Sequence, residues 1–389
     1  MVLSEIKKTI ARHISNIPGR NIRRKIVVIE SDDWGSIYMS TKEDYNKLIA
    51  RGFDFSKNHY LNYDCLESND DMEMLYEVLS KHKDATGRHP VMTGVNVVAN
   101  PDFEKIKANG FSRYEYELFT ETCKKYNGRD RVCDLWEEGI KKRLFVPAFH
   151  GREHLNVQRW MKLLQNNDKT IKTVFEYGIP YVSTGLNGEK IPDLRAAFDI
   201  DNRQDLKYLK EVIIKGLYEF DGLYGFRTGY FVPPNGPFNH SLETVLNDED
   251  IKYIGTGKIN KEPLGKGRYK RHFRYLGKKN AFWQLYLTRN CFFEPSSWEH
   301  SKDKDWVNDC LKEIEIAFKW KKPATISTHR VNYTGSIQPE NRANGLKKLD
   351  ALLSQIIRNW PDVEFMTSEE LGDFISQCKI GRPQPYNEN

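Results

Sequence analysis

Two adjacent carboxylates follow the first strongly apolar run of the chain. Residues 26–29 are Ile, Val, Val and Ile, which is typical of a strand buried on both faces in a parallel sheet. Asp32 and Asp33 come just beyond this run and precede Trp34 and Gly35. Neighbouring carboxylates repel each other, so the pair indicates a positive partner nearby. The alternative interpretation is a helix cap followed by a solvated aspartate.

A pair of histidines indicates that this positive partner is a metal ion. His150 and His154 stand four residues apart in HGREH, directly after an apolar run. Histidines at this spacing project to one side of a helical turn and can share a metal ion, and one added carboxylate completes a site with open positions for water. Gly151 stands where a thermolysin-type H-E-x-x-H carries its glutamate, which excludes that class. The alternative is a pair of loop histidines with ordinary hydrogen bonds.

Two more apolar runs carry polar residues that could take part in chemistry. The run at 223–232 contains Arg227 and Tyr230, and the run at 324–329 ends in His329. The residues that follow the strands of a parallel barrel converge on one face, where active sites lie. We therefore expect these side chains to meet the aspartates and the histidine pair.

The elements that would position these residues alternate along the chain. Segments of helical character separate most of the apolar runs, and repeated β then α predicts parallel strands joined by crossovers. We predict an α/β fold, a distorted (β/α) barrel of about seven to eight mostly parallel strands. After the opening strand, the predicted strand regions are 90–99, 143–150, 179–184, 223–232, 251–257, 282–288, 324–329 and 363–368.

In their order along the chain, these motifs resemble those of the polysaccharide deacetylase family, the metal-dependent carbohydrate esterases that include chitin, peptidoglycan and nodulation-factor deacetylases. The family carries an Asp-Asp strand end, a His-x-x-x-His, an Arg-led loop and a late strand that ends in histidine, and all four occur here. The segment 363–375 is similar to the family's closing strand and helix. The chain departs from the family pattern at Trp34, at Gly151 and after Arg227, which points to a divergent branch.

The resemblance implies a site for one divalent metal ion. Asp33, His150 and His154 would hold it, and Zn²⁺ is the expected ion ahead of Co²⁺, Mn²⁺ or Ni²⁺. The resemblance also implies a barrel of the deacetylase type.

The resemblance further implies how acyl transfer to water would proceed. Asp32 would stay free of the metal and act as the general base, Arg227 would hold it ionised, and His329 would protonate the leaving group. Trp34 and Tyr230 would offer aromatic faces to a sugar ring.

Each of these roles has a plainer alternative. Arg227 could pair with Glu294 or another acid of the barrel, His329 could be a buried structural histidine, and Trp34 could belong to the core. Glu294, which follows another apolar run, could be a second acid near the site.

The predicted organisation is a basic amphipathic segment at 1–24, a single barrel domain at 25–380 and a flexible tail at 381–389. In the first segment, isoleucines recur at helical spacing among lysines and arginines. Such a helix can lie on a membrane surface, and residues 2–25 could make peripheral membrane contact. We favour the other interpretation, in which the helix closes the floor of the barrel, because amphipathic helices usually pack on their own core.

Composition narrows the class of protein. The chain has 389 residues, 39% of them hydrophobic and 29% charged, which is typical of a well-cored globular protein. It has no apolar run of transmembrane length and no apolar core of a secretory signal, so we expect a cytoplasmic protein. Six scattered cysteines fit a reducing compartment. A net charge of +6 is too small over this length to indicate nucleic acid as a partner, and residues 265–280 are interpreted as a solvated basic hairpin.

The sequence therefore predicts a metal-dependent hydrolase that removes an acyl group from an N- or O-acetylated carbohydrate, such as a precursor of a polysaccharide or a glycolipid. The alternative is a carbohydrate-binding protein without catalysis on the same fold.

Overall fold

The computed structural model describes residues 2–56, 58–297 and 304–377, so the tail predicted at 381–389 lies outside the described residues. Thirteen strands occur in these ranges. They are β1 (Ile26–Trp34), β2 (Met92–Asn96), β3 (Ala99–Pro101), β4 (Tyr116–Leu118), β5 (Phe145–Phe149), β6 (Tyr230–Phe231), β7 (Tyr253–Thr256), β8 (Ile259–Gly265), β9 (Arg268–Phe273), β10 (Leu285–Thr288), β11 (Cys291–Phe292), β12 (Ala324–His329) and β13 (Glu364–Met366).

The described residues also form fourteen α-helices. They are α1 (Val2–Asn16), α2 (Lys42–Ala50), α3 (His59–Tyr63), α4 (Asn69–Ser80), α5 (Phe103–Ala108), α6 (Phe119–Lys124), α7 (Val132–Lys141), α8 (Val157–Gln165), α9 (Lys169–Phe175), α10 (Asp205–Tyr224), α11 (Glu243–Asp248), α12 (Trp306–Lys319), α13 (Pro339–Asn359) and α14 (Ser368–Gln377). None of the helices in these ranges combines the length and the apolarity needed to cross a bilayer.

The main sheet has nine strands, and all of its pairings are parallel. Its order is β10-β7-β6-β5-β2-β1-β12-β11, and β13 adds to β1. The strands at its two ends, β10 and β11, are separated in the chain only by Arg289 and Asn290. A single short segment therefore joins both ends of the sheet, which curls into the predicted distorted barrel.

Alternation along β1 divides the inside of the barrel from the outside. Ile26 and Val28 belong to the inner core, which continues onto α14 through Leu371 and is closed below by Ile22. Val27 and its neighbours on the same face pack outward against the layer of α4, α7, α12 and α13. Because β1 has a strand on each side and a core on each face, its residues 26–29 are fully buried, as their apolar composition requires.

Outside the barrel, one of the predicted strand regions is absent. Residues 179–184 make no strand, although Ile179 and Val182 are fully buried among the residues of α8 and α9. A buried loop and a buried strand share the same apolar composition, so the apolar run at 179–184 wrongly predicted a strand. The basic region at 265–280 is confirmed as part of an antiparallel hairpin, β8–β9.

The segment before the barrel packs differently from our preferred interpretation. Helix α1 forms as predicted, but its isoleucines do not close the barrel floor, since Ile6, Ile10 and Ile14 are each more than half exposed. The polar face of α1 contacts α12 instead, through an ion pair of Arg12 with Asp309. The prediction of a floor plug is therefore wrong.

Candidate metal centre

The three predicted metal ligands meet in one buried place. The Nε2 atom of His154 lies 3.0 Å from Oδ1 of Asp33, and the Nε2 atom of His150 lies 3.7 Å from the same oxygen. All three side chains are about 2% exposed, and one ligand atom from each lies within 4.8 Å of the others. Asp33 follows the buried core of β1 and His150 follows β5, so neighbouring regions of the barrel rim supply the set.

Hydrogen bonding around the three ligands fits a cation. Nδ1 of His150 lies 2.7 Å from the carbonyl oxygen of Val232; because a carbonyl only accepts, Nδ1 carries the proton and Nε2 keeps its lone pair toward Asp33. Oδ2 of Asp33 and Nδ1 of His154 are buried without a hydrogen-bond partner. Burial raises the pKa of the Asp33 carboxyl, but the two imidazoles hold it well below its usual range. Burial lowers the pKa of His154. A carboxylate and two neutral imidazoles are a typical ligand set for Zn²⁺.

An irregularity in β1 explains how two consecutive aspartates reach the same cavity. Side chains alternate along a regular strand, so Asp32 and Asp33 should point to opposite faces. The register between β1 and β2 shifts between Ser31 and Trp34, and Asp33 has a left-handed φ of 77°. The shift acts as a β-bulge that turns Asp33 toward the cavity beside Asp32.

The same bulge corrects the prediction for Trp34. By alternation from Asp32, Trp34 would face the cavity, but after the bulge it lies in the outer core with no exposed surface. Its ring packs edge-to-face on Phe145 with the centroids 4.8 Å apart, and its Nε1 hydrogen is donated to Ser31. Tyr230 is also buried, and its hydroxyl donates to Glu30 at 2.7 Å. Neither aromatic ring lines the cavity, so the predicted sugar-binding role of both is wrong.

Asp32 has a different neighbourhood, dominated by an arginine. Two nitrogens of Arg289 bond its two oxygens, each at 2.6 Å, and the same guanidinium also bonds Glu30 and lies 3.2 Å from the hydroxyl of Ser327. Burial raises the pKa of Asp32, but the bidentate contact with Arg289 brings it below its ordinary value. Asp32 is therefore ionised at neutral pH and held in a fixed orientation.

Arg289 takes the place that we predicted for Arg227. The side chain of Arg227 is 60% exposed, 3.5 Å from Asp221 and 3.9 Å from Asp250. It precedes β6, so it lies at the opposite strand end from the site, and its predicted role is wrong. Arg289 directly follows β10, and β10 lies in the predicted strand region 282–288. A charged residue just after a predicted strand is the sequence signal that could have identified it.

His329 completes the group on the other side of Asp32. It is the cross-strand neighbour of Asp32 in the β1–β12 pairing, and its Nε2 lies 3.9 Å from Oδ2 of Asp32. Its Nδ1 bonds Oε1 of Glu294 at 2.5 Å, and Asn332 donates to the other oxygen of Glu294. Burial alone would lower the pKa of His329, but the Glu294 carboxylate outweighs burial and raises it to about 9.

These groups open onto one cavity of about 430 Å³. Asp32, Asp33 and the three histidines line one part of it. Phe292, which is 50% exposed, and residues 255–257 also line this cavity. Helix α1 contributes Arg12 and Ser15 to the cavity wall. The cavity is large enough for a sugar ring beside the metal ligands.

A second group of possible ligands lies elsewhere in the described residues. His240, Glu262 and His272 are close enough to share an ion. However, Nε2 of His240 accepts a hydrogen bond from Arg274 at 2.6 Å, so the lone pair of this nitrogen is not available to an ion, and in the neutral ring the proton lies on Nδ1. We therefore assign the candidate metal centre to Asp33, His150 and His154.

No protein-family model and no curated protein matches this chain. Solved structures do match. A candidate polysaccharide deacetylase from Mycobacterium smegmatis is 9% identical, with 95% of this chain and 99% of that chain covered and a TM-score of 0.44. A candidate glycoside hydrolase/deacetylase from Parabacteroides distasonis is 8% identical over 92% and 73% of the two chains, with a TM-score of 0.49. A CE4 family pseudoenzyme from Bacillus anthracis is 10% identical over 90% and 66%, with a TM-score of 0.37.

Structures described as polysaccharide deacetylases are thus among those that this chain matches, at 9% identity. Because every identity is near 10% and every quoted TM-score is below 0.5, we base the proposed function on the residues of the site.

Proposed function

We propose that this protein is a metal-dependent hydrolase that removes an acetyl group from an N- or O-acetylated carbohydrate. The observation that carries the proposal is the meeting, in one cavity, of the buried triad Asp33, His150 and His154 with the ionised Asp32 and with His329. A non-catalytic binding site has no need for an unligated, ion-paired carboxylate beside a metal triad.

The triad would hold one divalent ion, and Zn²⁺ is the ion we propose because two imidazoles and a carboxylate suit it. When bound, such an ion lowers the pKa of a coordinated water to about 7 and polarises an acyl carbonyl. The Val232 carbonyl fixes the tautomer of His150, so that its Nε2 is available as a ligand.

Asp32 is the proposed general base. Its carboxylate lies next to the triad and accepts the proton of the attacking water at one of its oxygens. Arg289 keeps this carboxylate ionised and oriented through two hydrogen bonds of 2.6 Å. Arg289 is therefore a positioning residue, which acts on the reaction through Asp32.

His329 is the proposed general acid. Glu294 holds its Nδ1 hydrogen, which leaves Nε2 turned toward Asp32 and the cavity. The protonated imidazole donates the Nε2 proton to the departing sugar nitrogen or oxygen as the bond to the acyl carbon breaks. The products are acetate and the free amine or alcohol of the sugar.

The experiment is acetate release from N-acetylated and O-acetylated oligosaccharides by zinc-loaded protein. We expect Asp32→Asn to lower kcat by about 10²- to 10⁴-fold, the usual contribution of a general base, with its zinc content retained. Asp250→Asn is the matched control, since Asp250 is 82% exposed beside Arg227 and should behave as wild type. If zinc-loaded wild type released no acetate from either class of sugar, the hydrolase proposal would fail, and sugar titration would then test binding without catalysis.

A further inference from the structure

Helix α1 carries its apolar stripe on the outside. Ile6, Ile10 and Ile14 recur at helical spacing and are 51%, 52% and 60% exposed, and Ile17 just beyond the helix is 53% exposed. In a surface helix of a globular protein this stripe normally faces the core. The exposed stripe is therefore a feature that folding of the described residues does not explain.

Polar contacts hold the helix in this orientation. Arg12 pairs with Asp309 at 2.9 Å and with Glu313 at 2.8 Å, both on α12. Near the helix end, the ammonium of Lys258 donates to the backbone oxygen of Ser15 at 2.8 Å. A helix that was merely loosely attached would not need these specific contacts on its polar side.

The hairpin beside α1 also exposes apolar side chains. Lys258, which contacts Ser15, directly precedes β8. Ile259 and Phe273 pair across β8 and β9 and are 54% and 73% exposed. We call Ile6, Ile10, Ile14, Ile17, Ile259 and Phe273 the docking face.

The two segments that carry the docking face are rich in basic residues. Residues 2–25 contain seven lysines and arginines and one acidic residue. Residues 258–279 contain nine lysines and arginines and one acidic residue. Apolar side chains flanked by this charge are typical of helices that lie in the headgroup region of membranes with anionic lipids. A second copy of the chain fits less well, because a two-fold contact would bring like charges together.

We propose that the docking face binds the surface of a bilayer that contains anionic lipids. Arg12, Ser15 and Lys258 line the candidate active-site cavity, so binding would place the cavity beside the headgroups. This assigns the substrate class as an acetylated carbohydrate attached to a lipid, a step that rests on the proposed function. Membrane attachment itself does not rest on it.

The test is co-sedimentation of the full chain with vesicles of phosphatidylcholine, with and without phosphatidylglycerol. We expect the wild type to sediment with phosphatidylglycerol vesicles, and less so as salt is raised. The triple variant Ile6→Gln, Ile10→Gln and Ile14→Gln should lower the partition coefficient on the order of a hundredfold, because burying the exposed half of each isoleucine contributes roughly fivefold. Gln is a good helix former at these exposed positions, and the melting temperature of the variant checks its fold.

Tyr218→Gln is the matched control. Tyr218 is 75% exposed on α10, whose main contacts are with α11 and the turn at 240–242, and its replacement should leave vesicle binding unchanged. Wild type that stays in the supernatant with anionic vesicles, or that forms a dimer which the glutamines dissociate, would overturn the proposal.

A second assay separates this inference from the proposed function. Acetate release is compared between a lipid-linked acetylated sugar in vesicles and the same sugar free in solution, and we expect faster release from the vesicles. Vesicle binding without release from either substrate would keep the docking face and reject the hydrolase. Equal release from both, with no vesicle binding, would keep the hydrolase and reject the docking face.

Discussion

Asp32 and Asp33 are consecutive in the chain, but their neighbours give them separate roles. Asp33 faces two imidazole nitrogens and, at 3.6 Å from its Oδ2, Nη2 of Arg195, whereas Asp32 faces the guanidinium of Arg289. Two free carboxylates this close would disfavour each other's ionised form, whereas two with separate positive partners can both stay ionised. At the scale of single residues, this division is what the proposed roles require, with Asp33 as a metal ligand and Asp32 as the general base.

Arg289 provides the first residue-scale prediction. Arg289→Gln leaves Glu30 and Asp32 buried without their counter-charge, so the free energy of unfolding should fall by about 3–5 kcal/mol and acetate release should fall with it. Arg227→Gln is the control, because an exposed arginine contributes within about 0.5 kcal/mol. Urea unfolding and acetate release measure both variants. A loss of activity in Arg227→Gln with none in Arg289→Gln would contradict the assignment.

The second residue-scale prediction concerns the pH dependence of kcat/KM. The rate needs Asp32 ionised, with a pKa below its usual range, and His329 protonated, with a pKa of about 9. Activity should therefore be level around neutral pH and fall as the pH rises toward 9, somewhat earlier when a bound cation opposes the charge on His329. Glu294→Gln removes the carboxylate that raises this pKa, so the alkaline limb should move to lower pH.

Glu315→Gln is the control for that shift, since Glu315 pairs with Lys319 on the surface of α12. An alkaline limb that stayed in place in Glu294→Gln would show that His329 is not the acid.

The candidate metal ligands could be predicted from the sequence because residue type and spacing are both visible there. His150 and His154 are four apart, and Asp33 follows a buried run. The arginine that contacts Asp32 could not be identified from the sequence in the same way. Whether Arg227 lies before or after a strand depends on where β6 begins, and β6 is only two residues long.

At the scale of elements, the bulge in β1 positions the site and Gly35 supports it. Gly35 has φ of 75°, and a Cβ there would lie 2.5 Å from the carbonyl oxygen of Val97. Gly35→Ala should therefore cost more than the ~1–2 kcal/mol of a left-handed alanine alone, and it should weaken zinc binding by displacing Asp33. Zinc titration and chemical denaturation measure the two effects.

Gly225→Ala is the matched variant for Gly35→Ala. It has a similar φ of 70° at the end of α10, but a Cβ added there would meet no atom within 4 Å, so only the backbone strain applies. Equal zinc affinity in both variants would contradict the role of the bulge.

The elements of the barrel were easier to predict than their irregularities. Apolar runs correctly predicted the regions of β1, β2, β5, β7, β10, β12 and β13 because burial in a parallel sheet requires that composition. The bulge was not predictable, since the register between β1 and β2 depends on a strand about 60 residues away in sequence. Its consequence for Trp34 was missed for the same reason.

At the scale of the whole molecule, barrel closure assembles the site. Arg289 lies between β10 and β11, the two ends of the sheet, while Asp32 lies on β1 and His329 on the neighbouring β12. The ion pair of Arg289 with Asp32 therefore links the closing segment to the centre of the sheet. Zinc binding at the barrel rim should consequently raise the stability of the whole barrel.

Thermal unfolding tests that coupling. Zinc at about 100 times its Kd should stabilise the native state by about 2.7 kcal/mol, which corresponds to a rise in Tm of roughly 3–6 °C for a chain of this size. A chelator should reverse the rise. In His150→Ala the Tm should not respond to zinc, whereas His272→Ala, at the second histidine group, should respond as wild type.

The most direct test of the central claim is the metal content of the purified protein after zinc loading and dialysis, measured by elemental analysis on wild type, His150→Ala and His272→Ala. We predict about one zinc per chain in wild type and in His272→Ala, and none in His150→Ala. A folded wild type that retains no metal, or a His150→Ala variant that retains as much as wild type, would contradict a metal centre at Asp33, His150 and His154.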